Sequence, residues 1–215
     1  MSSPLRSLGC LALLALAANS CGASPGASST RVPFIAFASD FASFRSWSNN
    51  TVTNTVQVSV VHVSGTRTVY INQPPAADAT TFPVGTLIVK ETFADGKIYA
   101  RAKRGGGFNS TGALDWEWFE LQETSNNDIV IQWHGFGPPS GADMYGGDAN
   151  GACNDCHVAA KSNDYVLSPW LALGGNPDGI PPLDDAGIPA GAVVPDGGFT
   201  VDGGTPDAGA SADGP

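Results

Sequence analysis

The chain is short of the side chains that hold metals and prosthetic groups: four Cys, three His and two Met occur in 215 residues. Each shortage excludes something. Cys153 and Cys156 have no second Cys/His pair at matching spacing, so a zinc site of the paired kind would be left half built. No βα unit surrounds them, as a redox CxxC normally requires. The apolar run at residues 8–18 is too short to cross a bilayer as a stable helix. Positive charge is scarce as well. Ten Lys and Arg stand against twenty Asp and Glu, for a formal net charge of −10, and no nucleic-acid partner is expected of such a chain. Residues 178–215 contain no Lys or Arg and carry −7 of that charge on Asp178, Asp184, Asp185, Asp196, Asp202, Asp207 and Asp213. The two Asp-Gly-Gly steps at Asp196 and Asp202 lack the bidentate Glu and regular spacing of a calcium loop. So little large apolar surface cannot offset the ordering entropy, and a disordered acidic tail is expected over 178–215.

What is present is concentrated in one pentapeptide, Cys153-Asn154-Asp155-Cys156-His157. Two thiols two residues apart, followed at once by His, form the attachment signature of c-type haem. Each thiol adds to one vinyl group, and the short turn sets the adjacent imidazole under the iron as axial ligand. The predicted assignment is one covalent haem c held by Cys153 and Cys156, with His157 on the metal. A Cys153–Cys156 disulfide or half a zinc site are the competing readings.

The leader agrees with that assignment. Arg6 followed by the apolar run at 8–18 predicts an export signal over 1–20. The signal ends in Ala18-Asn19-Ser20-Cys21, small residues before a cysteine, which reads as a lipidation site at Cys21. Simple cleavage nearby is the alternative, since Ala18 stands where Leu is usual and Asn19 is polar. The expected mature protein is periplasmic or anchored to an outer membrane, with a lipidated flexible lead at 21–30. With Cys10 lost in the signal, Cys21 on lipid and the other two on haem, no thiol is left over. One domain remains, over 31–177, long enough for a single core.

Within it, Phe34, Phe37, Ala38, Phe41 and Phe44 fall at i, i+3, i+4, i+7 and are closed by Trp47, which predicts an amphipathic N-terminal helix behind Pro33. The period then changes to two. Strands are predicted at 56–62, 66–72, 85–92, 97–104, 115–122 and 128–134, with an Asp95-Gly96 turn and a Gly105-Gly106-Gly107 loop between some of them. Consecutive strands with tight turns give an α+β fold, mainly an antiparallel sheet, with an N-terminal helix and a C-terminal haem-binding helical segment. Ordinary electron-transfer cytochromes c are helical, carry the motif near their start and supply a Met after it. Here the motif is late, nothing after His157 is Met or His, and Met144 in a Gly-rich loop is the one soft ligand available to an electron-transfer reading.

Three blocks resemble the cytochrome P460 family, which includes the cytochrome c′-β proteins. RTVYIN at 67–72 is similar to the family's early strand, FPVGTLIVKE at 82–91 to its PxGTxxVKE strand, and CNDCH with Asp164-Tyr165-Val166 to its late haem segment. Trp116-Glu117-Trp118-Phe119 fits the family's aromatic strand, and the resemblance runs from about Phe34 to Trp170. It implies a mainly antiparallel β fold, a homodimer and a five-coordinate haem with an open distal face; an enzyme of this kind would pass its electrons to a small redox protein. In P460 enzymes, which oxidise hydroxylamine to nitrogen oxides, a lysine matching Lys90 is joined to the porphyrin. The c′-β members lack that bond, have a Phe-lined distal pocket and bind nitric oxide, carbon monoxide and similar diatomics.

The resemblance therefore assigns Lys90 as the porphyrin modifier and Arg67 as an electrostatic aid to a bound nitrogen oxide. From strand pattern alone, Lys90 reads equally as an outward lysine paired with a carboxylate, and Arg67 as a solvated strand-end charge. The family's distal carboxylate maps to Tyr99, a poor base at neutral pH, with Asp143 and Asp148 as possible substitutes. His62 and His134 read as structural or surface residues rather than a sixth ligand. Two functions stay open: a hydroxylamine-oxidising enzyme, and a binder of nitric oxide or carbon monoxide screened by the Phe-rich segment.

Overall fold

The computed structural model describes residues 32–54, 65–148 and 151–175. The export segment, the lead with Cys21, the strand expected at 56–62 with His62, and the acidic tail lie outside the described residues.

Among the described residues, seven strands form one sheet in chain order: β1 Ser48–Asn54, β2 Gly65–Ile71, β3 Leu87–Thr92, β4 Ile98–Lys103, β5 Trp116–Glu123, β6 Ile129–Gly135 and β7 Tyr145–Gly146. All neighbours are antiparallel except β6 and β7, which are parallel. The α+β class and the mainly antiparallel sheet are thus as expected. Five of the six predicted strands appear, and β1 is an additional strand at residues where none was predicted. Asn49 and Asn50 lie inside it.

Alternation sorts the sheet into two faces. On β4, Ile98, Ala100 and Ala102 enter one core with Phe41, Phe44 and Phe119. Tyr99, Arg101 and Lys103 point the other way, toward a second core holding Ile88, Trp116, Trp118, Tyr165 and Val166. The middle strands are covered on both faces, so β5 is buried along most of its length.

The expected N-terminal helix is corrected. Residues 34–37 are not helical, and two short 3-10 turns follow at Ala38–Phe41 and Phe44–Ser46. The Asp40 carboxylate accepts the Phe37 backbone N–H at 2.7 Å, and Ser43 leaves helical geometry at φ −113°, ψ 22°. Phe41 closes the first turn and Phe44 opens the second. Both phenyl rings fill the first core, on the opposite side of the sheet from Ile88 and Trp118.

Behind β7 comes α1 at Ala152–His157, continued by a 3-10 segment at Val158–Asn163. It stops at Asp164 and Tyr165, both left-handed with φ of 51° and 64°. The predicted C-terminal helical segment is therefore present and lies over the second face.

Candidate functional site

Asn154, between the two cysteines, fastens α1 to the sheet. Its Oδ1 accepts hydrogen bonds from Trp118 Nε1 at 3.1 Å, Ala113 N at 3.0 Å and Asn109 Nδ2 at 2.9 Å. Its Nδ2 donates to the Phe136 carbonyl at 2.9 Å. The residue is 2% exposed, so these bonds replace water that burial removed. Gly112 makes the fit possible, because a Cβ there would lie 2.5 Å from Asn154 Cγ.

The anchored helix sets Cys153 against the second core and brings His157 onto Trp118, ring centroids 4.6 Å apart. Cys153 and Cys156 are separate thiols. Burial pushes the Cys153 thiol up to about 12 and raises Cys156 too. His157 Nδ1 is 2.8 Å from the Tyr165 carbonyl oxygen. A carbonyl only accepts, so the proton sits on Nδ1 and Nε2 carries the lone pair, the tautomer a metal-binding imidazole needs. Burial, then the Arg101 charge, holds the ring well below its ordinary pKa, which keeps it neutral. Tyr165 is the partner of His157 that sequence could not name. Asp164 beside it accepts Phe82 N at 2.8 Å and forms a buried ion pair with Lys103 Nζ at 2.6 Å, locking the loop that presents this carbonyl.

Facing α1, one cross-strand row reads Val69, Lys90, Tyr99, Glu120, Trp133 from β2 to β6. Lys90 Nζ lies 5.0 Å from the centroid of the Tyr99 ring. Burial lowers the amine to about 7; Arg67 and Arg101 push the same way, while Cys153 and Asp95 oppose them. An amine in that range is substantially unprotonated at neutral pH and is a nucleophile. Arg67, on the same face of β2, is lowered by burial. Arg101 is lowered to about 9, again chiefly by burial, and stays cationic at neutral pH. Burial, then Glu120, raises the Tyr99 phenol, so it is an even poorer base than usual.

Glu120 is the residue that sequence reasoning missed. It stands directly opposite Tyr99 and accepts Trp133 Nε1 at 2.9 Å and the Lys97 ammonium. The alternation Trp116, Trp118, Glu120 placed it on this face, but only strand register puts it one strand from Tyr99. The register shift between Glu120 and Leu121 matters here. It leaves Gln132 outside the pairing, so Trp133 faces Glu120 while Ile131 still reaches the first core.

The other candidates are dispersed. His134 stacks on Phe119, pairs through Nδ1 with buried Glu117 at 2.8 Å, and so belongs to the first face. Met144, Asp143 and Asp148 are exposed on the loop before α1. The Phe-rich segment also serves the first face, so the expected Phe screen is not what borders Lys90.

The residues of α1 fit a covalent haem. Two unpaired thiols flank a docked turn, a neutral imidazole follows with Nδ1 engaged, and a partly polar face lies opposite. Zinc fits less well, because among the described residues no three His, Cys, Asp or Glu side chains converge on one point. A scan of protein-family models and searches of curated proteins and solved structures find nothing that matches this chain.

Proposed function

We propose that this is an exported mono-haem c protein that oxidises a small nitrogen compound, hydroxylamine by the resemblance to cytochrome P460, to nitrogen oxides. When bound, the haem supplies an iron that holds the substrate and accepts its electrons. The chain supplies the rest. Cys153 and Cys156 hold the porphyrin, and His157 presents Nε2 to the metal. Lys90 stands as the porphyrin modifier, Arg67 stabilises an anionic nitrogen oxide, and Glu120 takes protons in place of the carboxylate that Tyr99 displaces. The observation that carries the reading is the His157 Nδ1 contact with the Tyr165 carbonyl at 2.8 Å, on the face that also bears Lys90. Lipidation at Cys21, a membrane-surface location, a homodimer and a small redox protein as electron acceptor belong to the same proposal.

A second reading is favoured by Tyr99 standing opposite Lys90 where a carboxylate would serve catalysis. It is a nitric oxide or carbon monoxide binder without turnover. Intact mass and peptide mapping of the purified protein separate the two. The enzyme reading expects one haem on the CNDCH peptide joined to the peptide carrying Lys90, with hydroxylamine-dependent reduction of a dye. A haem protein with Lys90 unmodified, no turnover and ready uptake of nitric oxide selects the binder. Recovery of both cysteines unmodified sinks both readings.

A further inference from the structure

Arg101 occupies a place that neither reading uses. It is 6% exposed, with Cζ 4.9 Å from the Trp116 ring centroid and 5.7 Å from that of Trp118. Its Nη1 donates to the Tyr165 carbonyl at 2.7 Å, the same oxygen that accepts His157 Nδ1–H at 2.8 Å. Nη1 and Nδ1 are only 3.1 Å apart. Both are donors, so this is two groups converging on one oxygen rather than a bond between them. The position is rigid: two indoles confine the guanidinium plane, and the Asp164–Lys103 pair fixes the neighbouring backbone.

A buried charge acts at short range with little screening. Resting on the haem reading above, we propose that Arg101 is a fixed cation behind His157 that raises the reduction potential of the haem iron. It does so in two ways. Its charge disfavours the additional positive charge of the ferric state. It also shares the Tyr165 oxygen, which weakens that oxygen's pull on the Nδ1 proton and so the electron donation of the ring to the metal. The consequence is an iron better suited to taking electrons from substrate.

The test is spectroelectrochemical titration of the full-length haem protein and two variants, after covalent haem has been counted by mass and pyridine haemochrome spectra. Arg101→Gln keeps a donor to the Tyr165 carbonyl without the charge, and Arg101→Lys keeps the charge without the planar fork. The Gln variant should shift the ferric/ferrous equilibrium about tenfold toward ferric, about 59 mV for a one-electron couple. The Lys variant should stay within about threefold of the parent, because the charge remains. An unchanged potential in the Gln variant overturns the inference. So does a Lys variant that falls as far, since the effect would then be structural. If the Gln variant takes no haem, Arg101→Met replaces it as the charge-free variant and is read by the same thresholds. A parent without covalent haem fails the reading beneath the inference, a result distinct from any change in potential.

Discussion

Lys90 lies directly across from Tyr99 in the sheet, its ammonium nitrogen 5.0 Å from the centre of the phenol ring. The Arg67 and Arg101 charges oppose that of Lys90, while Cys153 and Asp95 favour it. Burial and Arg67 then bring its pKa from 10.5 to about 7.

That shift has a sign in stability. The unfolded chain holds the Lys90 proton up to its ordinary pKa of 10.5, whereas the folded chain releases it from about 7. Between those values the unfolded state binds more protons, so stability rises with pH across that window and is lowest below it. Lys90→Met removes the effect. Urea titrations of the haem-free parent and variant, in which Lys90 carries no porphyrin bond, should show the variant more stable near pH 7 and the two converging toward pH 10.5. Parallel curves across the whole range would contradict a depressed amine.

Glu120 should matter to turnover and little to folding. Glu120→Gln keeps an acceptor for Trp133 Nε1 and loses the base. Hydroxylamine-dependent dye reduction by the haem protein is expected to fall roughly a hundredfold or more. Asp143→Asn and Asp148→Asn, altered on the exposed loop, should leave the rate within about twofold. Equal losses in all three would remove Glu120 from the proton path.

Gly112→Ala tests the seat of α1. Its Cβ would meet Asn154 Cγ at 2.5 Å and Asn109 Oδ1 at 2.6 Å, so the hub must move. The expected loss is about 1–3 kcal/mol by urea unfolding, with less haem attached per chain. A variant as stable and as fully loaded as the parent would show that the hub tolerates displacement.

Asp164→Ala leaves Lys103 buried without its carboxylate, both side chains being 6% exposed in the parent. The loss should be roughly 3–5 kcal/mol. Adding Lys103→Met should recover part of it, because the uncompensated charge is what costs most. A double variant no more stable than the single one would locate the cost in the Phe82 hydrogen bond instead.

Local chemistry in the chain determined a good deal. Period-two alternation placed five strands, because each buries one side against a core and its side chains have to alternate. CNDCH forms a short helix ending at His157, and its position late in the chain was plain from the sequence. The Phe stripe was legible as core but not as to conformation. Spacing of i, i+3 satisfies a 3-10 turn as well as an α-helix, and Ser43 broke what the pattern would have continued.

The tertiary structure alone decided which groups share the face opposite α1. Strand register put Lys90, Tyr99 and Glu120 in one row, and the shift after Glu120 turned Trp133 toward that row against the period of β6. It sent Phe41 and Phe44 to the other side, and brought Arg101 and the Tyr165 carbonyl to His157 from 56 and 8 residues away. Alternation tells which side chains share a face of one strand. Which strand lies beside it, and in what register, depends on contacts between segments far apart in the chain.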